Sequence, residues 1–257
     1  MNGEKMIGVV GGLGPYAGLD LVRKIFDETQ ANTDQEHLPV LLLSASGDVA
    51  DRTEFLLGRA DTNPAHALCR IVRQLESAGA DVVGMPCNTA HAPPILDVLL
   101  SELRKADSRA VFVHMIDEVK AFLREHHPEL RKVGLLCTTG TCASGIYDAL
   151  VKGQGSETIR LDETFQQLVH SAMYDPASGI KAQAGPVSDK ARQRLLDGVE
   201  HLRQKGAEAV VLGCTEIPLA VTEKTIGDLT VIDPTRVLAR ALIREAAPGK
   251  LKPLEKG

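Results

Sequence analysis

Aromatic residues are scarce in this chain of 257 residues: they make up 3% of it, and tryptophan is absent. Large stacking platforms for bases or sugars are therefore not expected. Lys and Arg number 29 against 34 Asp and Glu, and the densest basic run is the pair Arg131-Lys132. Because nucleic-acid binding requires a basic patch, we do not expect nucleic acid as a partner.

The sequence also lacks long apolar runs. None approaches membrane-spanning length, and residues 1–5 lead into an apolar segment without the layout of a signal peptide. We therefore expect no membrane association and a cytoplasmic location. The cysteines are odd in number and form no CxxC pair, so free thiols are expected in a reducing compartment. They are Cys69, Cys87, Cys137, Cys142 and Cys214.

What the chain does contain is an alternation of apolar strand-like runs and amphipathic helical segments. Hydrophobic residues make up 44% of it, enough for a substantial core. The alternation predicts an α/β fold with largely parallel sheets. Strands are predicted at 6–10, 40–43, 80–85, 111–114, 132–136, 209–212 and 230–232.

The pattern repeats once along the chain. Cys87 follows Gly8 by 79 residues, and Cys214 follows Gly134 by 80 residues. A repeat of this length indicates two similar lobes, each placing a cysteine directly after a buried strand. The predicted division is 1–116 with 226–257 for the first lobe, and 117–225 for the second.

Cys87 and Cys214 are the candidate catalytic residues. In open α/β sheets, ligands bind outside the carboxyl ends of the strands, and a helix beginning there favours thiolate over thiol. Two such thiols facing each other across a cleft form an acid–base pair. One removes a proton from a substrate carbon, and the other returns a proton to the opposite face. The ordinary thiol pKa of about 8.5 needs only modest tuning for this task.

Other interpretations of these residues stay open. A cysteine after a buried strand is commonly a core residue, and Cys87 with His91 is a zinc pair that lacks a further ligand set. A disulfide between Cys87 and Cys214 is disfavoured in a reducing compartment. Residues 12–17, Gly-Leu-Gly-Pro-Tyr-Ala, match a dinucleotide fingerprint, but the acidic residue expected at the end of the second strand is missing. Arg52 suits a carboxylate ligand or a surface salt bridge.

The two cysteine motifs, residues 85–91 (Met-Pro-Cys-Asn-Thr-Ala-His) and 212–219 (Leu-Gly-Cys-Thr-Glu-Ile-Pro-Leu), resemble the aspartate/glutamate racemase superfamily, and its aspartate racemase branch most closely. Residues 7–15, 51–53 and 133–147 extend the resemblance over nearly the whole chain. It implies two α/β lobes related by a pseudo-twofold axis, with the active site between them. It also implies that the protein uses no pyridoxal phosphate and no metal, and that it forms a homodimer.

The resemblance further implies roles for single residues. Cys87 would be the base for the D-substrate and Cys214 the base for the L-substrate. Arg52 would hold the side-chain carboxylate, and Lys181 would neutralise a carboxylate from the second lobe. The other substrate-binding candidates are Gly12, Asn88, Thr89, Thr139 and Thr215. The expected reaction is the interconversion of L- and D-aspartate, with glutamate as a second substrate.

Three alternative functions remain at this point. A hydantoin racemase, or an isomerase or decarboxylase of another small acid, belongs to the same superfamily, although Arg52 favours an anionic side chain. A dinucleotide-binding oxidoreductase would use Gly12 and Gly14. A non-catalytic ligand-binding protein could keep the cleft but would not need both cysteines.

Overall fold

The computed structural model describes residues 3–148, 155–183 and 186–254. Two mainly parallel sheets flanked by helices make up these ranges, which confirms the predicted fold class. Residues 1–2 and 255–257 of the predicted first lobe, and 149–154 and 184–185 of the second, lie outside the described residues. Within the described ranges, no helix combines the length and the apolarity needed to cross a membrane.

The first sheet, as far as the structure describes it, has four parallel strands in the order β2-β1-β3-β4. They are β1 (Ile7–Gly11), β2 (Val40–Ser44), β3 (Val82–Gly84) and β4 (Val111–Val113). β1 and β3 are buried along their whole length, so small and apolar residues run through them without alternation. The helices of this part are α1 (Pro15–Glu28), α2 (Arg52–Leu56), α3 (Ala65–Ser77), α4 (Pro93–Lys105) and α5 (Met115–His126).

The second sheet has the order β6-β5-β7-β9-β8 over the described residues. Its strands are β5 (Lys132–Leu136), β6 (Glu157–Ile159), β7 (Ala209–Leu212), β8 (Thr225–Ile226) and β9 (Leu229–Ile232). Apart from the short antiparallel β8, its strands follow the spatial order of the first sheet, which supports two similar lobes. The remaining helices are α6 (Thr139–Ser144), α7 (Glu163–Tyr174), α8 (Asp189–Gln204) and α9 (Pro234–Ala246).

One apolar core joins the two lobes. It contains Val9 of the first sheet and Val211 of the second, together with Leu21 of α1 and Leu242 of α9. α9 follows the last strand of the second sheet but packs on α1 and α5. Separate cores lie under α3 and α4 in one lobe and under α7 and α8 in the other. The extensive shared core holds the lobes together around the cleft between them.

Strand pairing bears on the predicted lobe boundary at residue 226. Ala209 of β7 pairs with Thr230 of β9, so residues 229–232 lie in the second sheet, although the prediction assigns them to the first lobe. The chain returns to the first lobe with α9, after Ile232. The division into two domains otherwise stays a prediction.

Candidate active site

The loops after β3 and β7 meet at a small cavity between the lobes. Its free volume is about 10 Å³, roughly what a single water molecule needs. The cleft is therefore closed around its polar lining in this structure. Its lining residues are Asp51, Arg52, Thr53, Cys87, Asn88 and Thr89 from the first lobe, and Thr138, Tyr174, Lys181, Cys214, Thr215 and Glu216 from the second.

Cys87 and Cys214 both line this cavity, one from each lobe. Each is 7% exposed and carries a free thiol, so the alternative of a disulfide between them is wrong for this structure. Close packing fixes the turn that carries Cys214. A side chain on Gly213 would place its Cβ 2.8 Å from the Cβ of Cys137, so only glycine fits there.

A helix cap positions the cation nearest Cys87. The Asp51 carboxylate accepts hydrogen bonds from the backbone N–H groups of Thr53 and Glu54, at 2.8 and 3.0 Å. Such a cap satisfies donors that the first turn of a helix leaves unpaired. α2 therefore begins at Arg52, beside the cavity.

The Arg52 guanidinium is held inside the site and is not a surface salt bridge. It donates to the carbonyl oxygens of Leu13 at 2.5 Å and Ala50 at 3.2 Å. Burial lowers the pKa of Arg52, but the interactions with Cys87 and Asp51 outweigh it and raise the pKa above its usual value. The Nε atom has no hydrogen-bond partner in the described part of the chain. The Arg52 cation, which has an unpaired N–H donor, thus lies next to the Cys87 thiol.

Cys214 has a carboxylate beside it instead. Its thiol donates to Glu216 Oε2 at 3.0 Å, and Glu216 forms an ion pair with Lys181 through Oε1. Burial raises the pKa of Glu216, but Lys181 outweighs it and lowers the pKa, so both partners are charged. Burial and the charge of Glu216 together raise the pKa of the Cys214 thiol well above its ordinary range. Cys214 therefore carries its proton at neutral pH.

His91 fastens the Cys87 turn to the start of α5. Its Nδ1 donates to the carbonyl oxygen of Cys87 at 2.8 Å, and its Nε2 accepts from the backbone N–H of Met115 at 3.3 Å. Burial and the neighbouring His114 lower the pKa of His91 to about 3, so the ring is neutral. The backbone engages both ring nitrogens, which removes the interpretation of Cys87 and His91 as a zinc pair. No group of three or more His, Cys, Asp or Glu residues suited to a metal occurs among the described residues.

The predicted residues next to the cysteines make contacts between the lobes. The Thr215 hydroxyl donates to the carbonyl oxygen of Pro86 at 3.1 Å, and the hydroxyls of Thr89 and Thr141 are 2.9 Å apart. These contacts join the two lobes at the cavity. They also leave little room for solvent, which strengthens electrostatic interactions in the cavity.

Asn88 is oriented by a residue far away in the sequence. Its Oδ1 accepts a hydrogen bond from the buried Tyr147 hydroxyl, and its Nδ2 has no partner among the described residues. The side-chain amide lines the cavity and is buried. Since Tyr147 holds the oxygen, the unpaired N–H groups are available to a bound carboxylate.

Gly12 and Thr139 are the two predicted site residues that do not line the cavity. Thr139 is exposed at the start of α6, and the preceding residue, Thr138, lines the cavity instead. Gly12 lies in an adjoining cavity of about 450 Å³, which shares the walls formed by Arg52 and Lys181. Gly12 therefore belongs to the entrance side of the site.

Atoms of the protein itself occupy the space next to the glycine turn before α1. Gly12 has a φ of +83°, and a Cβ there would lie 2.7 Å from the backbone nitrogen of Ala45. A Cβ at Gly14 would lie 1.8 Å from Oε1 of Glu216. A carboxylate against this turn repels the pyrophosphate that a dinucleotide would place there. The geometry therefore argues against the dinucleotide-binding alternative.

Sequence reasoning missed several residues of the site. Glu216 stands two residues after Cys214, but its pairing with Lys181, 35 residues earlier, is not visible in the sequence. Tyr147 carries no motif that points to Asn88, and Tyr174 enters the cavity wall from the end of α7. The one sequence signal that could have identified any of them was the position of Glu216, two residues after the candidate catalytic residue Cys214.

Comparison with known proteins gives the following matches. The family model for Asp/Glu/Hydantoin racemase matches residues 10–242. The broad specificity amino-acid racemase RacX of Bacillus subtilis (strain 168) is 26% identical over 244 residues, covering 93% of this chain and 96% of that protein. The structure of Picrophilus torridus aspartate racemase is 28% identical, with a TM-score of 0.80 and 96% of each chain covered. A glutamate racemase of Corynebacterium glutamicum is 27% identical, covering 90% of this chain and 80% of that protein.

Proposed function

Because the chain belongs to the Asp/Glu/Hydantoin racemase family, we propose that it interconverts L- and D-aspartate without a cofactor, using Cys87 and Cys214 as the two proton-transferring groups. The observation that carries the proposal is the pair of free thiols lining one small cavity from opposite lobes. A cation lies beside one thiol and a carboxylate beside the other. Racemisation requires such a difference, because one group must accept a proton while the other donates one.

The resting charges favour one direction of the first turnover. The Arg52 cation lies beside Cys87, while Glu216 holds the proton on Cys214, so Cys214 starts as the proton donor. With a D-substrate, the Cys87 thiolate removes the α-proton, and the Cys214 thiol protonates the opposite face. The L-product then leaves Cys87 protonated and Cys214 ionised. The reverse reaction starts from that second state, in which Lys181 offsets the charge near Cys214.

Charge and hydrogen-bond donors in the cavity support an amino acid with an acidic side chain. The Arg52 guanidinium suits one carboxylate, and the Nδ2 group of Asn88 suits the other. Lys181 adds a second cation at the wall shared with the adjoining cavity. Fixed donors of this kind stabilise the charge that develops on the α-carbon and its carboxylate in the transition state.

A second candidate is a racemase of amino acids with neutral or basic side chains. The observation that favours it is the ion pair between Lys181 and Glu216, which neutralises one of the two cations at the cavity. The matched racemase from Bacillus subtilis is described as having broad specificity. In this case Arg52 would bind the α-carboxylate, and Glu216 would face the substrate side chain.

Proton NMR in heavy water, without added pyridoxal phosphate, tests both candidates. We expect the α-proton signal of L-aspartate to disappear and chiral analysis to find D-aspartate. Parallel samples contain L-glutamate, L-alanine and L-lysine. Faster exchange with L-lysine or L-alanine than with L-aspartate would favour the second candidate. No exchange with any of the four, from folded and reduced protein, would contradict racemisation of these amino acids.

The homodimer and the cytoplasmic location stay predictions. Both follow from the sequence and its resemblance alone. Size-exclusion chromatography with light scattering tests the first, and cell fractionation tests the second.

A further inference from the structure

A second pair of thiols lies outside the proposed racemase cavity. Cys137 is fully buried directly after β5, and Cys142 is half-buried on α6. Neither lines the cavity that contains Cys87 and Cys214. The pair has no part in the proposed proton transfer, so its chemistry needs a separate account.

An arginine is directed at the outer thiol of this pair. Arg160 Nη1 donates to the Sγ atom of Cys142 at 2.7 Å and to the Cys142 carbonyl oxygen at 3.3 Å. Its other terminal nitrogen forms an ion pair with Asp148. Arg160 and Asp148 line an open cavity of about 360 Å³, so a small reagent can approach the guanidinium from solvent. The geometry is that of a cysteine held beside a fixed cation.

The inner thiol completes the arrangement. A hydrogen bond with Cys137 and the charge of Arg160, opposed by burial and Asp148, lower the pKa of Cys142 to about 6. The same hydrogen bond, together with burial, raises the pKa of Cys137 well above its ordinary value. At neutral pH, Cys142 is therefore the thiolate and Cys137 the thiol.

We propose that Cys142 is a site of oxidation by hydroperoxides and that Cys137 is the partner that resolves the product as a disulfide. The Cys142 thiolate attacks the terminal oxygen of the hydroperoxide, which breaks the O–O bond and forms a sulfenic acid on Cys142. The leaving group is the alkoxide, or hydroxide when the reagent is hydrogen peroxide. The Cys137 sulfur then attacks the Cys142 sulfur, and the sulfenic oxygen leaves as water with the Cys137 proton. The peroxide gains two electrons, and the two thiols lose them.

Two of the other three thiols differ from Cys142 in their pKa, and the third, Cys87, is distinguished by the peptide that carries it. Cys69 is buried on α3, where burial and Glu102 raise its pKa. Cys214 is also held in its protonated form. Thr138, which lines the racemase cavity, lies between Cys137 and Cys142 in the chain, so the disulfide forms next to that cavity.

The first experiment measures the alkylation rate of each cysteine in the reduced full chain with iodoacetamide, by peptide mass spectrometry, as a function of pH. Cys142 should reach half of its maximal rate near pH 6, while Cys69 stays unmodified. Replacing Arg160 with glutamine removes the cation. At neutral pH, alkylation of Cys142 should then fall severalfold, because the pKa of the thiol rises when the cation is lost. The fall should stay below the ~30-fold of a full return to the ordinary pKa of about 8.5, since the hydrogen bond with Cys137 remains. Arg192→Gln, which disrupts a surface ion pair with Glu223 in the same lobe, is the matched control and should leave the rate unchanged.

The second experiment adds one equivalent of hydrogen peroxide to the same protein. The expected product is a disulfide between Cys137 and Cys142, and in Cys137→Ala a sulfenic acid on Cys142 that dimedone traps. The proposal is overturned if Cys142 alkylates with the pH dependence of an ordinary thiol, or if peroxide leaves Cys142 reduced in both proteins. Neither readout depends on racemase activity, so the two experiments test this proposal independently of the proposed function.

Discussion

Replacing Glu216 with glutamine tests whether this carboxylate controls the stability of the site. Glu216 and Lys181 form an ion pair in which the side chains are 4% and 19% exposed. Removing one partner of a buried pair costs about 3–5 kcal/mol. Water reaches Lys181 to some extent, and glutamine can still accept a hydrogen bond, so we expect a loss near 3 kcal/mol. Since each kcal/mol lowers the Tm of a chain of this size by about 2–4 °C, the Tm should fall by roughly 6–12 °C.

Glu223→Gln is the matched control. Glu223 pairs with Arg192, but these side chains are 35% and 37% exposed. An exposed pair contributes less than about 1 kcal/mol, so the control should lose only a few degrees in Tm. Equal losses in the two variants, measured by thermal and chemical denaturation, would refute the description of the Glu216 pair as buried.

The loss of stability in Glu216→Gln depends on pH, because both Glu216 and Lys181 titrate. The pKa of Glu216 is lowered from 4.5 on folding, so its contribution to stability is complete above that value and is lost as the pH falls through the folded pKa. The pKa of Lys181 is raised from 10.5, so its contribution is complete below that value and is lost as the pH rises through the folded pKa. The raised pKa of Cys214, to which Glu216 contributes, adds a loss of wild-type stability above the ordinary thiol pKa of about 8.5. The difference in stability between wild type and Glu216→Gln should therefore be constant between about pH 5 and pH 8 and shrink on either side.

The same variant should make Cys214 more reactive while making the protein less stable. Glu216 raises the pKa of the Cys214 thiol, so its removal favours the thiolate. Alkylation of Cys214 at mildly alkaline pH should be faster in Glu216→Gln than in wild type and unchanged in Glu223→Gln. An unchanged or slower rate would show that the carboxylate does not hold the proton on Cys214.

Two further substitutions test the proposed substrate contacts. Arg52→Gln removes a charge-assisted contact worth ~1.5–3 kcal/mol. The kcat/KM for aspartate should therefore fall about 10- to 100-fold, and that for alanine much less. Equal losses for the two substrates would mean that Arg52 does not recognise the substrate side chain. Tyr147→Phe removes the hydrogen bond that orients Asn88, worth ~0.5–1.5 kcal/mol, and should raise KM for aspartate by up to about tenfold with little change in kcat. An unchanged KM would mean that Tyr147 supports the fold alone.

Residues that follow buried parallel strands were accessible from the sequence. Cys87 and Cys214 come directly after apolar runs, and parallel topology brings the ends of such strands to one edge. The repeated spacing also predicted two similar lobes. Arg52 and Lys181 came from the resemblance, because nothing in their own neighbourhoods distinguishes them from solvated side chains.

The remaining features depend on contacts that no local pattern encodes. Thr139 was predicted where Thr138 lines the cavity, because a strand-to-helix junction turns neighbouring side chains in different directions. Tyr147 reaches Asn88 from 59 residues away. The edge strand β6 escaped prediction because it is only three residues long, with none fully buried.

The most direct test of the central claim is α-proton exchange in heavy water by single-cysteine variants. Cys87→Ala keeps only Cys214, so it should exchange the α-proton of L-aspartate without forming D-aspartate, and faster as the pH rises because the pKa of Cys214 is raised. Cys214→Ala should exchange the α-proton of D-aspartate alone. Cys69→Ala, a buried change outside the cavity, should racemise like wild type. Racemisation at the wild-type rate by either active-site variant would contradict the two-thiol mechanism.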